Sequence, residues 1–139
     1  MHSHPIKVST FINADIDEVW RCWTKPEHIV NWNFASEDWH CPKADNQLHD
    51  GGRFSYTMAA KDASHEFDFT GTYEMILPEE KIVYTIDDGR RVEVLFEVVG
   101  QNTSVTEYFE PERTHSEEMQ KAGWQAILNQ FKHYVESRK

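Results

Sequence analysis

The sequence predicts an α+β fold: a curved antiparallel sheet of about six or seven strands, with one long C-terminal helix packed across it and two short helices after the first strand. Three observations carry this. From residue 53 to residue 109, apolar and polar residues alternate in segment after segment, the period of strands with one buried face. The turns between those segments are too short for parallel crossovers. The last segment, EEMQKAGWQAILNQFKHYVES, is the only long stretch of helical period, so it alone can cover the apolar face of the sheet.

The first strand is IKVSTFI, which follows Pro5 and alternates. In DIDEVWRCWT, Asp15 is placed to cap a helix, with Glu18 three residues on as in a capping box, and Ile16, Val19, Trp20 and Trp23 recur at helical spacing. Thr24 opens a second, shorter helix, TKPEHIVNW, with Pro26 in its first turn. SEDWHC reads as a short strand.

GGRFSYTM then puts Phe54, Tyr56 and Met58 on one face, and HEFDFTGTYEMIL does the same for Phe67, Phe69, Gly71, Tyr73 and Met75. KIVYTI presents Ile82, Tyr84 and Ile86, and RVEVLFEVV presents Val92, Val94, Phe96 and Val98. The DDGR between them is a hairpin turn, since Asp-Gly suits positive φ. GQN turns again into TSVTEYFE. The final helix starts near Thr114, with Glu117 completing a second capping box. Its apolar stripe is Trp124, Ile127, Leu128, Phe131 and Val135, and its wet face is Gln125, Asn129, Lys132 and Glu136.

The totals bound the function. The 139 residues suit one domain, with residues 1–5 expected to be mobile. The net charge is −10 and no basic run occurs, which argues against nucleic acid and anionic membrane surfaces as partners. The N-terminus lacks the apolar core of a signal peptide, and no apolar run approaches the length of a membrane span, so a soluble, cytoplasmic protein is expected. In that compartment Cys22 and Cys41 are expected as reduced thiols.

No cofactor or metal motif is present. His40, Cys41, His49 and Cys22 fit no paired ligand spacing, and His2 and His4 are incidental on a mobile end. HDGG and DDGR are turns that precede no helix, unlike phosphate loops, and no serine-nucleophile elbow occurs.

Taken together, INADIDEVWRCWTKPEHIVNW, DWHCPKA, GGRFSYTMAAKD, FDFTGTYEMILPEEKIVYTIDDGR and AGWQAILNQF resemble, in order and spacing, the START-like or SRPBCC superfamily with its helix-grip fold. Within it they are most similar to the homologues of the activator of heat-shock-protein-90 ATPase, in the single-domain type also labelled polyketide-cyclase-like. The resemblance spans nearly the whole chain. It implies the fold, and it implies one of several functions: ligand binding, chaperone activation or cyclase chemistry. Where the family pattern has an Asp and then Leu-Arg before Gly-Gly, this chain has Gln47, Leu48, His49 and Asp50, so a charged pair expected near a cavity mouth is missing or neutralised.

The candidate ligand-binding set comes from strand parity. Phe54, Tyr56, Phe67, Phe69, Tyr73, Tyr84, Phe96, Trp124 and Phe131 converge between sheet and helix. They form either a solid core or an apolar pocket with a few polar groups. The tyrosines favour the pocket, because a buried phenol needs a partner or a wet cavity.

Glu107 shares the parity of Val105 and Phe109. If these face inward, a carboxylate stands on the inner face; if Thr106 and Tyr108 do, Glu107 lies on the surface. Trp32, Phe34 and Trp39 either cap the core, or gate the cavity mouth or form a protein-docking patch. Gly123, inside the last helix, either lets the sheet pack tightly or leaves a hollow beside Trp124.

The first functional expectation is therefore binding of a small hydrophobic or amphipathic molecule between sheet and helix, by a monomer or homodimer. A chaperone-activating interaction module ranks second, since the activators it resembles carry a further N-terminal domain for which the residues before Ile6 leave no room. A cyclase- or dehydratase-like enzyme using a cavity carboxylate ranks third.

Overall fold

The computed structural model describes residues 5–138. The expectation for residues 1–4, including His2 and His4, lies outside the described residues. Seven strands form one antiparallel sheet: β1 (Ile6–Ile12), β2 (Trp39–Asn46), β3 (Arg53–Ala60), β4 (Glu66–Leu77), β5 (Lys81–Ile86), β6 (Arg91–Val99) and β7 (Asn102–Phe109). Their order is β1-β7-β6-β5-β4-β3-β2, so the first strand closes onto the last and the rest follow as a meander. Helices α1 (Ile16–Thr24) and α2 (Pro26–Ile29) bridge from β1 to β2, and α3 (Glu117–Ser137) lies across the inner face.

Helix starts follow local chemistry, with three departures from expectation. Asp15 caps α1 by accepting a hydrogen bond from the Glu18 N–H at 3.0 Å. The Glu18 carboxylate pairs with Arg21 and accepts from the Cys22 thiol rather than completing a box. The Thr24 hydroxyl donates back to the Trp20 carbonyl at 2.8 Å, so it ends α1 instead of opening α2, which begins at Pro26 without a side-chain cap. For α3 the cap is Ser116, not Thr114: its Oγ accepts from the Met119 N–H at 3.1 Å. Gln120 then holds the preceding loop, donating to the Glu112 and His115 carbonyls and accepting from the Glu112 N–H.

Two irregularities curl the sheet. The β2–β3 register shifts between His40 and Lys43, and the β4–β5 register between Tyr73 and Met75. The second shift reverses the parity of the rest of β4. Ile76 therefore packs on the core, while Met75, expected inward, is exposed and stands opposite the buried Val83 on the outer face. Val98, also expected inward, is exposed at the end of β6.

Gly71 faces Phe54 across β3 and β4, and a Cβ there would lie 2.6 Å from the Thr85 carbonyl oxygen and 2.7 Å from the Phe54 ring. The missing side chain is what lets that ring lie flat on the neighbouring strand.

The core runs along the inner face: Val8 and Ile12 of β1, Val92 and Val94 of β6, and Val105 and Phe109 of β7, closed by Leu128, Phe131 and Val135 of α3. The side of α3 expected to be wet is instead a polar seam with β1. Gln125 donates to the Ser9 carbonyl, Lys132 to the Phe11 carbonyl, and the Glu136 carboxylate accepts from the Asn13 N–H. Held this way against β1, α3 stands off from β3 and β4, and large rings fill the wedge between.

Candidate functional site

The wedge is not completely filled. A cavity of about 200 Å³ lies between α3 and strands β3 to β7. Strand alternation delivers most of its wall: Phe54, Tyr56 and Met58 from β3, Phe67, Phe69 and Tyr73 from β4, Ile82 and Tyr84 from β5, and Glu107 from β7. Trp124 and Ile127 roof it from α3, one helical turn apart, and Trp23, Trp32 and Asn33 close the end nearest α1. Trp124 is held flat against Phe109, with centroids 4.0 Å apart.

The polar groups of the wall differ in whether the protein already satisfies them. The Tyr56 and Tyr73 hydroxyls meet at 3.2 Å, and Tyr73 donates to Asn46 Oδ1 at 2.6 Å. Asn46 in turn donates to the Thr24 carbonyl at 2.7 Å, so this chain ties three strands to the end of α1. Arg90 spends donors on Asp88 and on the Glu110 carbonyl.

The Glu107 carboxyl and the Tyr84 hydroxyl have no hydrogen-bond partner among the described residues. Neither is shut away from the hollow, since no polar side-chain atom that is fully enclosed lacks a partner. Burial pushes the Glu107 carboxyl up to about 8, so it carries its proton at neutral pH. Burial, and next the neighbouring Glu107, raise the Tyr84 hydroxyl well above its ordinary range, while Arg90 pulls it down. A neutral acid and a phenol, both able to donate and accept, thus face an otherwise aromatic hollow.

Of the residues singled out from the sequence, Trp32, Phe54, Tyr56, Phe67, Phe69, Tyr73, Tyr84, Glu107 and Trp124 line this cavity. Glu107 faces inward, with only 6% of its surface exposed, which resolves the two registers left open above. The remaining four do not line it. Phe96 packs edge-on against Trp20 and Trp23, and Phe131 is enclosed by Trp23 and Trp32. These rings are core because α1 and α2 fold down over their end of the sheet. Phe34 is half-buried outside the cavity, and the Trp39 ring lies 5.9 Å, centroid to centroid, from that of Phe67.

Trp23, Asn33, Met58, Ile82, Arg90 and Ile127 were not singled out. For Met58, Ile82 and Ile127 the inward parity was visible. For Asn33 and Arg90, in loop and turn, no periodic signal exists. Cys22 and Cys41 are both free and buried. Among the described residues no group of three or more His, Cys, Asp or Glu is placed to hold a metal ion, and no helix is long and apolar enough to cross a membrane.

Beside the cavity lies an open groove of about 380 Å³, between the first half of α3 and the segment leading into β2. Gly123 forms part of it, and a Cβ on Gly123 would meet nothing within 4 Å. The tight-packing reading of this glycine is therefore replaced by the hollow.

Residues 13–136 match the family described as activator of Hsp90 ATPase homolog 1-like protein. No curated protein matches significantly. Among solved structures, the chain is similar to an AHSA1-like protein of Aeromonas hydrophila, with 43% identity, 96% of this chain and 94% of that chain covered, and a TM-score of 0.88. A protein of Cytophaga hutchinsonii is 46% identical, with 98% and 94% covered and a TM-score of 0.84. A protein of Nitrosomonas europaea, 18% identical with 98% and 96% covered and a TM-score of 0.85, shares the fold.

Proposed function

The chain belongs to the activator of Hsp90 ATPase homolog 1-like family, whose helix-grip architecture it adopts, and from that premise we propose that it binds a small, mostly apolar molecule in the cavity under α3. The observation that carries this reading is the pair of polar groups, Glu107 and Tyr84, that reach an aromatic hollow with no hydrogen-bond partner from the protein among the described residues. Both groups reach the hollow, so a ligand or water there can supply the partner that the protein does not. An apolar wall with a few convergent polar groups is the usual make-up of a small-molecule site.

An engineered apolar cavity of about 150 Å³ takes up benzene, so a hollow of this size suits one substituted ring. A neutral ring carrying a hydroxyl or amide matches the Glu107 acid and the Tyr84 phenol. A carboxylate ligand is disfavoured, because its charge would be desolvated beside Glu107.

Dye displacement and thermal-shift measurements with small phenols, aromatic polyketide-like compounds and fatty acids test the reading. Hydroxylated rings should displace the dye and raise the melting temperature, and Glu107→Leu should weaken them. If no compound does either, the reading is lost. The family description also supports a chaperone-directed role, and stimulation of the cognate chaperone's ATPase by this protein is the measurement that would favour it.

A further inference from the structure

The groove beside Gly123 shares four wall residues with the cavity: Met58, Phe67, Trp124 and Ile127. These side chains wall both the pocket of about 200 Å³ and the open trough of about 380 Å³. The trough is mostly apolar, with Ser36, His115 and Gln120 as the polar members of its wall. Phe67 and Met119 leave 49% and 63% of their surface in water, an unusual exposure for residues grouped around one depression.

Its floor lies where α3 has no side chain, at Gly123, one residue before the ring that roofs the cavity. A glycine inside a helix is unfavourable, and here nothing packs against it to require it. A mostly apolar trough that shares a wall with a cavity whose Glu107 and Tyr84 lie on the strand side has the polarity of an amphipathic molecule.

We infer that the ligand is an elongated amphipath: a hydroxylated or amide-bearing ring held by Glu107 and Tyr84, and an unbranched apolar tail that leaves between Phe67 and Trp124 and lies in the trough over Gly123. This rests on the cavity-binding reading and goes further, in specifying a tail and its path. The cavity alone accommodates a ring, so chain length beyond the first carbons reports only on the trough.

The experiment uses isothermal titration with 4-ethyl-, 4-butyl- and 4-hexylphenol and the matching alkylbenzenes. The wild-type protein should bind the alkylphenols with an affinity rising about fourfold per added methylene, the ratio expected for a buried CH₂. Gly123→Leu keeps a good helix former but fills the floor. It should hold 4-ethylphenol within about twofold and lose at least tenfold on 4-hexylphenol. Met119→Glu, at an exposed position, places a charge in the trough without touching the core and should act the same way.

If 4-ethylphenol binds but affinity is flat with chain length, or if both variants bind 4-hexylphenol as the wild type does, the tail path is wrong while the cavity reading stands. If alkylbenzenes bind as well as alkylphenols, the assignment of the head group to Glu107 and Tyr84 is wrong. If no ring binds at all, the cavity reading and this inference fall together.

Discussion

Replacing Glu107 by Gln keeps the shape of the side chain and removes one proton equilibrium from the inner face of β7. In the folded protein the carboxyl titrates at about 8, because burial disfavours its charged form. In the unfolded chain it titrates at about 4.3. Below that value both states hold the proton and folding loses nothing. Between the two values the unfolded state releases a proton that the folded state keeps, so stability falls as pH rises. Above about 8 both states are ionised and the dependence ends.

The slope in the window is one proton, about 1.4 kcal/mol per pH unit, so between pH 5 and 7 the wild type loses up to about 3 kcal/mol that Glu107→Gln does not. Other titrating groups cancel in the difference between the two proteins. Urea denaturation of both at pH 5, 6, 7 and 8, fitted for the free energy of unfolding, reads the effect directly. The gap between variant and wild type should widen steadily in favour of the variant and level off near pH 8. A gap that stays constant from pH 5 to 8 would refute the assignment of a neutral, desolvated carboxyl.

Three further outcomes are expected. Gly123→Ala should stabilise the protein by about 0.8–1 kcal/mol, or about 3 °C in thermal melts, because the new methyl gains helix propensity and meets nothing; a loss of stability would mean the groove is closed in solution. Gly71→Ala should do the opposite, costing roughly 1–3 kcal/mol, since its Cβ would press on a strand carbonyl and the Phe54 ring; an unchanged denaturation midpoint would contradict that contact. Ser116→Ala should cost about 1 kcal/mol through the lost cap of α3, whereas Thr114→Ala should be neutral, and chemical denaturation of the pair separates them.

Much of this was legible in the residues because a pleated strand exposes alternate side chains. The inward set of β3, β5 and β7 follows from counting by two, and Glu107 follows with it once Val105 and Phe109 are inside. The same counting failed after Tyr73, where a single extra residue in β4 reversed the parity and turned Met75 outward. A bulge leaves no mark in hydrophobic alternation until the partner strand is known.

Polarity also misled at α3. Gln125, Lys132 and Glu136 read as a solvated face, but their chemistry equally suits the open backbone groups of an edge strand, and which they meet depends on where β1 lies. The site was legible as a convergence of rings. Its limits were not, because the cover that turns Phe96 and Phe131 into core comes from α1 and α2, whose placement no periodicity specifies.

That polar seam has a consequence for how copies of this protein meet. Ser9 and Phe11 turn their carbonyls away from β7, and these are the acceptors an incoming strand from another molecule would need. With Gln125 and Lys132 already donating to them, β1 is a poor template for continuing the sheet into a neighbour. The opposite edge, β2, carries Pro42, the register shift between His40 and Lys43, and the exposed Lys43–Asp45 ion pair, each of which discourages strand addition. An all-β meander with two free borders would be a candidate for filament growth. Here one border is occupied by the molecule's own helix and the other is bent and charged, so neither invites edge-to-edge pairing with another copy.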